Sequence, residues 1–339
     1  MSSHTAKAAA RSAQALSKSP LAHRAASHSS SSSTPAIASR STTPGSTTAA
    51  SKSFTCCSLP NNNTSRSSSF VQNQKSQFST HAAKMASTMP AQHGHNEACC
   101  NIPPVISKGY EAKGAYEEIG GFKTYVTGPA DAKKAIVVIY DIFGFFPQTL
   151  QGADILATSD AQKYRVFIPD WFAGEPCPIE WFPPNTEEKQ KNLGGFFQKF
   201  PPPKVAGQVP DYVKAVQDKY SSLESFGILG YCWGGKVVSL VTSGDGNPFK
   251  IGAEIHPAMV EPEDAKGIKV PLILLASKEE PDDAVKQFED NLTAAKHVET
   301  FKDQIHGWMA ARSDLEDARV KEEYSRGYKT VLQFFGKNF

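Results

Sequence analysis

The hexapeptide Gly230-Tyr231-Cys232-Trp233-Gly234-Gly235 concentrates the chemistry of this chain. A cysteine between glycines, after an apolar run at Phe226 to Leu229 and before a helical stretch from Gly235 to Thr242, fits a tight strand-to-helix turn that presents a nucleophile. Glycines flank it because a side chain at either position would collide with the neighbouring strand or helix. At a helix N-terminus the backbone dipole favours the thiolate, which is the reactive form. A buried structural cysteine in a glycine-rich turn is the plainer alternative.

A nucleophile of this kind needs a base, and the usual chain order on such a turn is nucleophile, acid, histidine. His306, in Gln304-Ile305-His306-Gly307-Trp308, follows the last expected strand, where that histidine belongs. The acid should lie just past a strand over Val270 to Leu275, in Ala276-Ser277-Lys278-Glu279-Glu280-Pro281-Asp282-Asp283. Four carboxylates there could reach His306. Glu279 is the expected acid and Glu280 the next choice, because the acid should follow the strand end by three or four residues. Its role would be to hold the imidazole in the productive tautomer.

These residues must be positioned by a scaffold, and the hydropathy pattern supplies one. Ala135 to Tyr140 is a continuous apolar run, as expected of a parallel strand buried on both faces. Further strands are predicted at Arg165 to Ile168, Phe226 to Leu229, Lys250 to Ile255, Val270 to Leu275 and Val298 to Lys302. Helices are predicted over Gln148 to Lys163, Pro210 to Ser222, Gly235 to Thr242, Pro281 to Ala295 and Leu315 to Phe335. Alternation of this kind means βαβ units, hence an α/β fold with a mostly parallel central sheet and helices on both faces. Phe172 to Lys204, rich in Pro, Trp and Phe, is expected to form an irregular cap. Its aromatics, with Trp171 and Phe172 before Trp181, Phe182, Phe196 and Phe197, would line a substrate cavity or pack the cap on the sheet.

The composition changes sharply along the chain. Residues 1–84 hold nine Lys/Arg and no Asp or Glu, and the first acidic residue is Glu97. The remaining 255 residues carry 27 basic and 34 acidic groups, a net charge of −7, which argues against a nucleic-acid-binding face. The leader buries too little apolar surface to offset its conformational entropy and is expected to be disordered. Its Ser- and Arg-rich character fits a transit peptide, so a mitochondrial location is expected, or a cytoplasmic one if synthesis starts at Met85; secretion is not. Residues 85–108 then form a linker and 109–339 the catalytic domain. No stretch approaches the ~18 apolar residues of a membrane span.

Six cysteines, as two adjacent pairs and two singletons, do not make a disulfide framework, so a reducing compartment is expected. The string His93, His95, Cys99, Cys100 has zinc-ligand chemistry but lacks a second ligand pair at finger-like spacing. Neighbouring cysteines also converge poorly on one tetrahedral ion, so no metal and no cofactor is expected.

Taken together, the motifs resemble the dienelactone hydrolase family, an α/β-hydrolase group, over roughly Gly109 to Phe339. The resemblance rests on the Cys elbow, Tyr140-Asp141-Ile142-Phe143-Gly144, Ile168-Pro169-Asp170, His256-Pro257 and the His306-Gly307-Trp308 loop. Glu97-Ala98-Cys99-Cys100 with Ile102-Pro103-Pro104 resembles fungal members in particular. The family pattern implies that Asp141 contacts the resting thiol and is displaced by substrate. Bacterial members carry Glu there, and Asp where this chain has Glu279. It also implies an oxyanion hole from the backbone N–H groups of Ile142 and Trp233. Arg312, His256 and Trp308 are the candidate substrate-contacting side chains.

The expected activity is hydrolysis of a small-molecule ester or enol-lactone through an acyl-enzyme, by a monomer or weak homodimer without nucleic-acid or membrane partners. Rival readings are a thioesterase or general carboxylesterase, and a non-catalytic ligand-binding or redox-sensing protein, since an exposed thiolate also suits a sensor.

Overall fold

The computed structural model describes residues 89–91, 94–106, 109–159 and 162–339. The expected leader, Met85 and His93 lie outside the described residues. A short helix α1 (Glu97–Asn101) is followed by a hairpin of β1 (Ala115–Ile119) and β2 (Phe122–Thr127), and then by β3 (Lys134–Ile139), α2 (Pro147–Thr158) and β4 (Tyr164–Pro169). A cap region holds α3 (Glu187–Lys199) and α4 (Pro202–Ala206), and α5 (Val209–Lys219) leads into β5 (Ser225–Tyr231). The second half runs α6 (Trp233–Thr242), β6 (Phe249–Ile255), α7 (Asp264–Gly267), β7 (Leu272–Ser277), α8 (Asp282–Asn291), β8 (Lys296–Phe301) and α9 (Ala318–Asn338).

The sheet has eight strands in the order β1-β2-β4-β3-β5-β6-β7-β8. β1 and β2 are antiparallel, as are β2 and β4, while every pairing from β4 to β8 is parallel. The expected mostly parallel α/β architecture is therefore present. β3 and β7 are buried along almost their whole length because helices cover both faces of the sheet. α9 closes one face: Asp317 caps it by accepting from Arg319 N and Val320 N, and Tyr324, Tyr328, Val331, Leu332 and Phe335 recur at helical spacing on its buried side.

The expected elements are recovered with several differences. The hairpin β1–β2 was not anticipated, because β1 (AYEEI) carries two glutamates and is largely exposed at the sheet edge. The cap is not irregular throughout: Thr186 caps α3, and Glu187 and Glu188 complement its N-terminal dipole. Another concerns the segment expected to be a linker, whose described residues 94–106 pack against the carboxyl edge of the sheet. Asn96 N donates to Ala258 O (2.9 Å) and Val105 N to Ala311 O (2.8 Å), while Cys99 and Cys100 are fully buried.

Candidate active site

The carboxyl ends of β3, β5, β6, β7 and β8 converge, and the sequence places a reactive or polar residue just past each: Asp141, Cys232, His256, Glu279 with Glu280, and His306. Cys232 caps α6 with φ 54° and ψ −115°, a conformation that side chains other than glycine's rarely adopt. The two glycines make this turn possible. A Cβ on Gly230 would lie 2.1 Å from the Gly234 carbonyl oxygen, and one on Gly234 would lie 2.4 Å from the Ile139 carbonyl oxygen. Both obstacles are backbone and cannot rotate away. Gly234→Ala should therefore cost roughly 3 kcal/mol of stability in urea denaturation. Gly195→Ala in α3, where an added Cβ meets nothing within 4 Å, should be neutral or stabilising. Equal midpoints for the two variants would contradict the steric argument.

His306 is fully buried, and its ring Nδ1 lies 2.6 Å from Glu280 Oε1. The carboxylate on the imidazole is thus Glu280 rather than the expected Glu279. The reason is the length of β7. The strand runs on to Ser277, two residues past the expected end, so the third residue beyond it is Glu280. Glu280 is fixed by further donors, Ser277 N on Oε2 and Asn96 Nδ2 on Oε1 (3.3 Å). Glu279 instead accepts from the backbone N–H of His306 (2.7 Å) and from Ser277 Oγ (3.2 Å), and so holds the loop rather than the ring.

The opposite ring nitrogen, Nε2, is buried and has no hydrogen-bond partner among the described residues. One ligand atom each from Cys99, Cys232 and His306 all lie within 4.8 Å of one another. Burial opposes charge on both Cys232 and His306, yet their mutual attraction overcomes it. The Cys232 thiol is held well below its ordinary range by the Cys99 thiol, His306 and Arg312. His306 is raised to about 9 by the Cys232 sulfur and Glu280. Both shifts favour the charged forms, a thiolate beside an imidazolium, with Glu280 on the far side of the ring. The trio of Cys99, Cys232 and His306 also has the donor set for a soft divalent ion, which would consume that thiolate.

Asp141 is buried, but its carboxylate accepts from Phe143 N (2.9 Å) and Ala311 N (3.1 Å). The expected contact with the resting thiol is taken by another group, since Cys232 Sγ pairs with Cys99 Sγ at 3.2 Å. Burial and the nearby Cys232 charge push Asp141 up to about 6, against the pull of Arg312 and the two N–H donors. Trp233 is the first residue of α6, so its backbone N–H has no acceptor within the helix, and Ile142 follows the end of β3. The Trp233 indole donates to Phe200 O (3.0 Å) and packs on Phe172, 5.0 Å between ring centres.

The other expected side chains fare differently. Arg312 is not a surface group but 1% exposed, over the Phe143 ring; Nε donates to Ile102 O (2.6 Å) and Nη2 to Cys99 O (3.0 Å). Its Nη1 is buried without a partner among the described residues. His256, with φ 38°, stacks on Tyr231 and lies 5.3 Å from the His306 ring; burial holds it neutral. Trp308 faces the core rather than the thiol, 4.2 Å from Phe301, and packs so closely on α9 that a Cβ on Gly327 would lie 2.5 Å from it. Of the cap aromatics, Phe172 and Phe196 pack on each other and on Phe200, and Phe172 packs on Trp233 of α6, which fits cap packing on the body of the domain.

Residues 122–339 match the dienelactone hydrolase family. The chain belongs to that family. It is 34% identical over 258 residues to an uncharacterised AIM2 family protein of Schizosaccharomyces pombe, covering 74% of this chain and 98% of that one. A protein of Aspergillus violaceofuscus described as hydrolase pyvD is 29% identical, with 75% and 100% covered. A carboxymethylenebutenolidase homologue of Mus musculus is 26% identical, with 71% and 97% covered. Membership in the dienelactone hydrolase family makes this chain a hydrolase built on the α/β-hydrolase scaffold.

Proposed function

We propose that the protein hydrolyses a small carboxylic ester or enol-lactone with Cys232 as nucleophile, His306 as proton carrier and Glu280 as the group that orients His306. The observation that carries the reading is the buried sequence Glu280–His306–Cys232, with a 2.6 Å contact on one side of the imidazole and the strained elbow thiol on the other. The thiolate adds to the carbonyl carbon, and the oxyanion meets the backbone N–H groups of Ile142 and Trp233. Imidazolium Nε2–H then gives its proton to the departing alkoxide, leaving an acyl thioester on Cys232. A water deprotonated by the now neutral His306 releases the acid and restores the ion pair. Arg312, with one unpartnered nitrogen beside this centre, suits a substrate that carries its own carboxylate.

The test is intact-mass analysis of the full-length protein mixed with an excess of a p-nitrophenyl ester or a dienelactone. An initial release of p-nitrophenol equal to the enzyme present should coincide with an acyl adduct mapped to Cys232. Turnover with the adduct on another side chain would overturn the assignment, as would turnover by a protein whose Cys232 has been alkylated.

A further inference from the structure

Cys99 takes no part in the acyl transfer itself, yet this is the side chain that touches the nucleophile. Its Sγ lies 3.2 Å from Cys232 Sγ across 133 residues of sequence, and 3.4 Å from His95 Nδ1. A disulfide has sulfurs about 2.0 Å apart, so about 1 Å of closure separates this contact from a bond. The contact is also held in place from several sides. Arg312 grips the carbonyls of Cys99 and Ile102, Asn96 caps α1 through Cys99 N (2.8 Å), and the same Asn96 reaches Ala258 and Glu280.

We infer that Cys99 is a resolving thiol for Cys232, and that peroxide converts the pair into a Cys99–Cys232 disulfide that switches the hydrolase off and pins the N-terminal segment over the site. The Cys232 thiolate attacks one peroxide oxygen; the O–O bond breaks, hydroxide departs, takes up a proton as water, and the sulfur becomes a sulfenic acid. Cys99 sulfur then attacks the Cys232 sulfur. The S–S bond forms as the S–O bond breaks, and the leaving hydroxide takes the Cys99 proton as a second water. Two electrons have passed from the two sulfurs to the peroxide, and a dithiol reductant returns both thiols.

The two sulfurs are suited to unequal roles. Cys232 is the thiolate that meets the oxidant. Its hydrogen bond and charge, with burial, hold Cys99 well above the usual thiol range, and oxidation of Cys232 removes that charge just when Cys99 must attack. Both sulfurs are fully buried, so peroxide enters when the segment opens locally; α1 is only five residues long. The inference rests on Cys232 being the reactive thiol of the proposed function, but not on ester hydrolysis.

The experiment treats reduced, desalted full-length protein with stoichiometric hydrogen peroxide, then alkylates it and measures intact mass and cross-linked peptides. The expected result is two fewer alkylated thiols than in untreated protein and a peptide joining Cys99 to Cys232, with hydrolysis lost in parallel and recovered by dithiothreitol. Cys99→Ser and Cys99→Ala should instead gain oxygen at Cys232, trappable by dimedone, while Cys100→Ser should still cross-link. Retained near-UV circular dichroism shows that each variant folds. Progressive oxygen addition at Cys232 in the wild type would overturn the inference. So would a cross-link from Cys232 to Cys56, Cys57 or Cys100, or one that persists in both Cys99 variants. A cross-link formed by a protein that turns over no ester would leave this inference standing and defeat the proposed function.

Discussion

Cys232→Ala is expected to lower ester turnover on the order of 10⁴- to 10⁶-fold, to the level supported by binding and the oxyanion hole alone. The variant should still fold, because alanine carries the same Cβ into the turn and the strain at φ 54° is unchanged. Cys232→Ser is the sharper experiment. The site lowers the thiol's pKa through the Cys99 contact, His306 and Arg312, which favours a thiolate as the attacking form. A serine hydroxyl would not ionise there, and its proton would have to be removed during attack. Serine should therefore fall short of wild type by roughly 10²- to 10⁴-fold in kcat/KM despite its smaller, otherwise similar side chain. Measured on p-nitrophenyl esters, a serine variant as fast as wild type would show that the ion pair contributes nothing.

What could be read from the sequence divides by how local the signal is. The elbow was legible because glycines, strand and helix are contiguous, and β3 and β7 because burial on both faces makes them continuous apolar runs. His306 was legible from its place after the last strand. The acid was legible only to within one residue. Ala276 and Ser277 read as loop but extend β7, and that displacement transfers the imidazole contact from Glu279 to Glu280. Cys99 shows the limit of sequence reading. Its chemistry was visible in the His95–Cys99 string, but its partner lies 133 residues away, and no periodicity encodes that contact. Arg312 likewise looks like any basic residue before an acidic stretch until the fold wraps residues 94–106 around it.

Glu280→Gln is the second large effect, and it separates two carboxylates that sequence alone leaves interchangeable. Glutamine keeps the shape and its one oxygen can still accept from Ser277 N, but it removes the negative charge 2.6 Å from Nδ1 and then turns an amide NH2 toward Asn96 and the ring, which can force the wrong ring tautomer. Replacing the orienting carboxylate of a comparable triad costs about 10⁴-fold, so a loss of roughly 10³- to 10⁴-fold in kcat is expected. Glu279→Gln retains an oxygen for the His306 N–H and should cost less than about tenfold. The pH profile carries a second signature. The imidazolium must be charged to protonate the leaving group, so wild-type activity should hold up to the His306 value of about 9 and fall above it. Glu280 is one of the groups that raises that value; without its charge the alkaline limb should move to lower pH, whereas Glu279→Gln should leave it in place. Equal losses in the two variants, or an alkaline limb unmoved by Glu280→Gln, would mean that the contact with the ring is structural and that His306 is oriented by something else.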